Sequence, residues 1–596
     1  MRGLLVVAVW ALPAVAAQPV AKPVIADKIV DRFAPAPFET QRVGGILGDR
    51  MRVNLEGRLL HVNEAGILDC FRHRPGRQEW AGEHAGKFLH AAANAWLYSS
   101  DERLKTVMDR VARELIAAQL PDGYLGTYTD DRRWTSWDVW VHKYDLIGLL
   151  SYYEATGYTP ALESARRIGD LLARTFGSEP GQRDIITAGE HVGMAATSVL
   201  EPMVNLYRFT GDRRYLDFCE YLVRAWDQPN GPKIITSLNS AGSVFKTANG
   251  KAYEMMSNLV GLAELYRVSG NPLYLRTTQI AWKDIVDHRL YVDGTTSSSE
   301  HFADDDVLPG EESSNTGEGC ATVTFLQLTW HLLRLTGEPQ YADQLERTTY
   351  NALLGAQEPR SGDICYFTPL NGKKSPGPGI NCCVSSEPRG ISMIPQLAWG
   401  THGEGAAILF YVPGNVKLAT AAGEVSIESK TSFPLDGNIE LTVRPTRAVR
   451  FPLFLRVPSW AARYRAAVNG ETFTGTPGGF LTIDREWSPG EIVRIEMDMT
   501  VHVLPGGSSY PYSVAIQRGP QLLALEETLN REVKDFQAAG PRRSEVKLAQ
   551  ANDRIPSNWH GKQAYLLEAS VAGKPRDLVM VPFADARVYR VWLIKP

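Results

Sequence analysis

The residues of this chain whose types and spacing could do chemistry are Glu318-Gly319-Cys320 and, much further along, the adjacent pair Cys382-Cys383. A carboxylate two residues from a thiol, met by two neighbouring thiols brought from elsewhere, supplies one oxygen and three sulfur ligands. That is a tetrahedral zinc shell. Disulfides are the competing use of cysteine in an exported chain. Neighbouring cysteines do not readily bridge each other, so Cys382 and Cys383 would each need a distant partner. The spacing is that of neither a zinc finger nor a ribbon, having no C-x-x-C and no H-x-x-x-H. Spacing alone therefore leaves metal binding and structural pairing both open.

A longer stretch carries a resemblance. Ser299-Glu300-His301-Phe302, Leu308-Pro309, Glu318-Gly319-Cys320-Ala321, Tyr350-Asn351, Gly362-Asp363 and Asn381-Cys382-Cys383 together resemble the β-L-arabinofuranosidase families 127 and 146 of the glycoside hydrolases, once grouped as one domain of unknown function. The likeness covers most of the chain up to about residue 410. It implies an (α/α)6 barrel, a zinc ion held by Glu318, Cys320, Cys382 and Cys383, Cys382 as nucleophile and Glu300 as acid/base. By spacing alone Glu300 would be a solvated loop carboxylate beside Asp304-Asp305-Asp306. The resemblance also matches His142, Glu346 and Tyr366 to positions that contact the sugar.

Chemistry agrees with those roles. A free thiol is only a few per cent ionised at neutral pH, whereas zinc holds it as thiolate. A thiolate can attack an anomeric carbon as the carboxylate of most retaining glycosidases does. Glu300 would protonate the leaving oxygen and then deprotonate the incoming water.

Some positions depart from the family pattern. Ala195-Ala196-Thr197-Ser198 and Gly250-Lys251-Ala252-Tyr253-Glu254 stand where the family carries Gly-His pairs, and Val384 where it often has proline. Lys251 could pair with a substrate carboxylate, although by itself it reads as a solvated helix residue. The sugar is accordingly expected to be β-L-arabinofuranose or a related branched or acidic sugar.

Composition sets the outer bounds. The apolar fraction of 44% and charged fraction of 22% are those of a soluble globular protein. A formal net charge of -4 gives no footprint for nucleic acid or an anionic membrane, so the expected partner is an oligo- or polysaccharide. Residues 1–17 read as a signal peptide: Arg2, an apolar run from Gly3 to Leu12, then Ala14-Val15-Ala16-Ala17. Export to the periplasm or beyond follows, with no membrane attachment after cleavage. The chain could also pair as a homodimer.

The predicted fold class is mainly α plus β: an (α/α)6 barrel catalytic domain over 18–402, a β-sandwich over 403–510 and a C-terminal β module over 511–596. Helical periodicity dominates the first part. An apolar helix end followed by Thr or Ser and Gly recurs at Thr156-Gly157, Thr210-Gly211, Ser269-Gly270 and Thr336-Gly337, as expected of left-handed helix terminators. These intervals fit helical hairpins repeated about an axis. Tryptophans at 134, 137 and 140 could be sugar platforms, though each taken singly reads as packing. From Gly403 the period becomes alternating, as in Asn438 to Val443 and Ile492 to Met497. Asn530 to Asn558 reads as a long loop. Cys70, Cys219 and Cys365 read as small buried apolar residues. Two other functions fit a helical toroid with β-sandwiches, a polysaccharide lyase and a non-catalytic glycan-binding protein stabilised by zinc.

Overall fold

The structure, a computed structural model, describes residues 20–309 and 315–596. The expected signal peptide, 1–17, lies outside the described residues. No described helix is long and apolar enough to cross a membrane.

Six helices pack in a closed ring: Glu83–Ser99, Asp138–Thr156, Leu200–Thr210, Ala252–Ser269, Gly319–Thr336 and Cys382–Met393. Outside them lie Gly45–Val53, Glu102–Ala117, Thr159–Thr175, Arg213–Ala225, Pro272–His288 and Pro339–Thr348, each packed chiefly against one inner helix, with Thr159–Thr175 and Pro272–His288 also touching the next. The sequence separates the two rings. Glu102–Ala117 buries only Leu104, Val107, Met108, Val111, Ala112 and Leu115, one stripe at helical spacing. Ala252–Ser269 is buried on every face, polar residues included. Gly86 and Gly148 bring the first two inner helices together, since a Cβ on Gly86 would sit 1.9 Å from the Tyr144 carbonyl oxygen. The expected (α/α)6 barrel is thus present.

Each recurring Ser/Thr-Gly signature ends an inner helix, with Gly157, Gly211, Gly270 and Gly337 all at φ between 70° and 72°. These ends are also where the N-terminal segment docks. Residues 21–32 run across them, and Ala21, Val24, Lys28 and Arg32 donate their N–H groups to the carbonyls of Glu154, Arg208, Arg267 and Arg334, three residues before each glycine. Asp27 pairs with Arg208 at 2.8 Å, and Asp31 pairs with Arg267 and with Arg334, the latter at 2.6 Å. This strap closes the end of the barrel opposite the cysteines.

The sandwich begins slightly before the expected residue 403. Trp399–His402 already pairs in a five-stranded sheet with Gly405–Ile408, and that sheet also takes Phe33–Pro35 from before the barrel. A seven-stranded sheet faces it and takes Gln41–Val43. One continuous apolar core runs through barrel and sandwich. The C-terminal module starts at Val501–Pro505, earlier than residue 511, and has small cores of its own. Its sheet reaches into the barrel region, where Val588–Arg590 pairs with Asn371–Lys373. The expected loop from 530 to 558 contains Ala539–Pro541 and Leu548–Gln550, both paired to Tyr565–Val571. Three-residue strands are too short to show alternation.

Asp31→Asn should leave Arg267, 1% exposed, with part of its charge uncompensated. A cost of about 3 kcal/mol is expected, visible as a lower thermal-unfolding midpoint. An unchanged midpoint would mean that the strap does not brace the barrel.

Candidate active site

The inner helices begin at the end of the barrel that holds the cysteines. Glu318 immediately precedes the helix Gly319–Thr336, and Cys320 is its second residue. Cys382 and Cys383 open the helix Cys382–Met393, whose first turn is capped by the Asn381 side chain accepting from Val384 N–H at 2.9 Å. Gly319 allows the two helix starts to meet, because a Cβ there would lie 2.7 Å from Glu387 Oε1 and 3.2 Å from Cys383 Cβ.

Glu318, Cys320, Cys382 and Cys383 consequently present donor atoms that all lie within 4.8 Å of one another. Cys383 Sγ is 3.5 Å from Cys320 Sγ, 3.9 Å from Cys382 Sγ and 3.9 Å from Glu318 Oε1. Tetrahedral zinc with Zn–S bonds of about 2.3 Å sets its sulfurs about 3.8 Å apart. Glu318 is 2% exposed and its Oε2 has no hydrogen-bond partner among the described residues. A buried carboxylate oxygen left over beside three thiols is a donor set that fits a cation of the zinc type. All six cysteines are free, so the disulfide alternative is not realised. Cys70, Cys219 and Cys365 are buried apart from this cluster.

Only Cys382 of the four is partly exposed. Hydrogen bonds from Cys320 and Cys383 pull its thiol down to about 5. Burial pushes Cys320, Cys383 and Glu318 the other way. Lys87, from the first inner helix, is fully buried; its ammonium donates to the Cys382 carbonyl at 3.1 Å and lies 3.9 Å from Cys320 Sγ. Burial opposes its charge, but Cys320 and Glu83 hold the proton on. Glu83 pairs with it at 2.8 Å and accepts from Trp140 Nε1 at 2.6 Å.

Tyr366 joins the cluster to Glu300. Its hydroxyl is 3.1 Å from Cys382 Sγ and donates to Glu300 Oε1 at 2.6 Å. Lys251 binds the other carboxylate oxygen, Oε2. Burial pushes Glu300 up, but the hydrogen bonds from Lys251 and Tyr366 outweigh it and hold the carboxyl below its ordinary range. Glu300 sits at φ 67° and Ser299 at φ 46°, a left-handed turn unusual for side-chain-bearing residues. It is held because Glu300 O accepts from Ala252 N at 3.1 Å and Ser299 N donates to Asn315 O at 2.8 Å. The segment beyond is tied to the C-terminal module, where Leu308 N donates to Ser509 Oγ at 2.7 Å.

Seven of the nine expected site residues therefore meet. The other two do not. His142 is not at its helix start but a turn inside Asp138–Thr156, fully buried, with Nδ1 on the Asp138 carbonyl at 2.8 Å and Nε2 on Leu125 N–H at 3.3 Å. Glu346 is buried against the sandwich, paired with Arg456 and accepting from Trp460 Nε1 at 2.8 Å. Neither offers a free polar atom to a sugar. Lys251, expected against substrate, gives its ammonium to Glu300 instead.

Of the tryptophans, Trp134 packs on Tyr124, His142 and Phe176. Trp137 and Trp140 belong to the cluster around Cys320 and Cys383, with Tyr144, Tyr253 and Trp80. Sequence reasoning missed Lys87, Glu83, Tyr144 and Tyr253. Glu83 and Lys87 are four apart on a helix, which normally marks a solvated face. The glycine at 86, unfavourable mid-helix, was the available signal that this face is packed.

A sequence profile of the β-L-arabinofuranosidase GH127 catalytic domain matches residues 57–396, and one of the GH127 middle domain matches 406–499. The non-reducing end β-L-arabinofuranosidase of Bifidobacterium longum subsp. longum is 27% identical over 505 residues, covering 74% of this chain and 75% of that one. A solved GH127 β-arabinofuranosidase shares the fold with a TM-score of 0.81 at 22% identity, over 95% of this chain and 98% of the other. A GH127 β-L-arabinofuranosidase from Geobacillus stearothermophilus T6 does so with 0.79 at 20%, over 93% and 100%. With the catalytic-domain profile spanning more than half of its residues, the chain belongs to the β-L-arabinofuranosidase family GH127 of the glycoside hydrolases.

Proposed function

We propose that this chain is an exo-acting, retaining β-L-arabinofuranosidase that removes a terminal sugar from an exported or extracellular glycan, with Cys382 as nucleophile and Glu300 as acid/base. The observation that carries the reading is the shared contact with Tyr366: Cys382 Sγ and Glu300 Oε1 both bond to one phenol oxygen, at 3.1 and 2.6 Å. They cannot be farther apart than those two bonds laid end to end. That is short of the separation of roughly 6.5–9.5 Å that inverting pairs keep for a water, and close to the roughly 5–5.5 Å of retaining pairs.

Cys382 attacks the anomeric carbon, forming a C–S bond as the C–O bond breaks, while Glu300 gives its proton to the leaving oxygen. Glu300 then takes a proton from water, whose oxygen replaces sulfur on the same carbon and frees Cys382. Tyr366 orients both groups and can hydrogen-bond whichever is anionic. Zinc on Glu318, Cys320, Cys382 and Cys383 would keep the sulfur ionised and shield it from oxidation during export. Lys87 offsets negative charge from below.

The charges also bear on the sugar. Lys251 is paired with Glu300 and Lys87 with Glu83. The sugar proposed is neutral β-L-arabinofuranose, the substrate in the name of the Bifidobacterium relative, rather than the uronate that the lyase alternative requires.

Protein purified without chelators should carry about one zinc per chain by elemental mass spectrometry, and Cys320→Ser should lower that content. No zinc after reduction and metal supplementation would remove the metal from the mechanism. On a 4-nitrophenyl β-L-arabinofuranoside, Cys382→Ser should lose at least roughly a thousandfold in kcat, and on an alkyl β-L-arabinofuranoside, whose leaving group must be protonated, Glu300→Gln should lose roughly 10²–10⁴-fold; full activity of either variant on its stated substrate excludes its assigned role. Lys251→Met should raise the pKa of Glu300. Because the first step needs Glu300 protonated, the alkaline fall of kcat/KM should then move to higher pH. A stationary limb would show that Lys251 does not set that ionisation.

A further inference from the structure

The aromatic cluster around the cysteines reaches solvent along one side. Trp140, Tyr144, Tyr253, Cys320 and Cys383 are buried, whereas Trp80, Trp137, Tyr366 and Cys382 are only partly so. From there a chain of rings continues along the rim: Trp80 to Trp137 at 6.1 Å, Trp137 to His191 at 5.6 Å, and His191 to His301 at 6.3 Å, all edge to face. It ends on the residue next to Glu300, the group placed to protonate the leaving oxygen.

This rim is built rather than incidental. Trp80, Trp137, His191 and His301 come from four loops that lead into different inner helices. Those loops are tied to one another: Ser136 Oγ donates to Glu79 Oε2 at 2.8 Å, and Glu190 N–H to the Ser136 carbonyl at 3.3 Å. Asn249 Nδ2 bonds His191 Nδ1 at 3.1 Å, and His301 Nδ1 lies 2.8 Å from the Ser299 carbonyl. Ser136, His191 and Val192 adopt φ of 52°, 56° and 58°. For a β-branched valine that conformation is strained, and it leaves Val192 40% exposed. Strain of this kind persists where neighbouring structure imposes it, and it clusters at ligand clamps. Burial and the nearby Lys251 ammonium push His191 down to about 4, so its ring is neutral at working pH. Neutral imidazoles and indoles offer ring faces to sugar C–H groups and N–H donors to hydroxyls.

We propose that His191, Val192 and His301, the end of this rim beside Glu300, form the leaving-group subsite, which holds the next sugar ring of a neutral glycan on the Glu300 side of the scissile bond, while Trp80 and Trp137 join that subsite to the cluster around the cysteines. The inference rests on the hydrolase reading above. It assigns these residues to choosing what the terminal sugar is attached to, whereas the Cys382 side receives the sugar that is released.

The test compares kcat/KM on two substrates with the same terminal β-L-arabinofuranose, one linked to a second arabinofuranose and one to methyl. In His191→Ala and in His301→Ala, the disaccharide-to-methyl ratio should fall about tenfold or more. Because the ratio is taken within each variant, a partly unfolded preparation cancels. A ratio equal to that of the unsubstituted chain in both variants overturns the subsite. A chain that hydrolyses neither compound refutes the hydrolase reading instead. The subsite is then read from calorimetric binding of the same disaccharide: weakening in both variants supports it, and equal affinity overturns it.

Discussion

Three thiols and a carboxylate within 4.8 Å, nearly all out of water, form the constraint on which the rest of this structure depends. Four such groups cannot all ionise together in a low-dielectric interior unless a cation sits among them. The fold meets that demand from several directions. Helix starts at Gly319 and Cys382 bring the positive ends of two helix dipoles to the cluster, and the buried Lys87 ammonium lies 3.9 Å from Cys320 Sγ. Glycines at 86 and 319 remove the atoms that would keep these elements apart. A barrel whose inner helices all start at the same end is well suited to this, since it gathers several positive helix ends around one axis.

The proposed acid/base arrives by a different route. Glu300 lies on a loop, in a backbone conformation that residues with side chains avoid, and it is kept there by contacts from three sides. One is the start of the helix Ala252–Ser269. Another is Tyr366, and the third is the C-terminal module through Ser508 and Ser509. The β module is thereby part of the site's support although it supplies no group to it, which gives a physical reason for its close attachment to the barrel.

Much of this was legible in the sequence because strong local chemistry marks it. The Glu-Gly-Cys and Cys-Cys elements, the glycine helix stops and the switch from helical to alternating period all carry information within a few residues. What failed was anything depending on partners far along the chain. His142 and Glu346 sit in plausible motifs, yet Asp138 and Leu125 occupy the one and Arg456 and Trp460 the other. Lys251 was read as facing substrate because its partner, Glu300, is 49 positions away. Lys87 was invisible since an i,i+4 pair with Glu83 reads as surface. The Arg-x-Ser/Thr-Gly helix ends that Asp27 and Asp31 pair with are a repeat readable in the sequence, but their partners lie far along the chain.

That strap sets an order on the birth of the barrel. Asp31 bonds Arg334 across 303 positions of chain, so a segment made early on the ribosome gains its last seat only when the fifth inner helix has been made. Contacts of such long range form late, because the loop-closure entropy must be met before they return anything. The N-terminal segment therefore acts as a clasp that is fully shut only once five of the six inner helices stand side by side. A partly made chain, with its helix ends still uncovered, is distinguishable from a finished one at this end of the molecule.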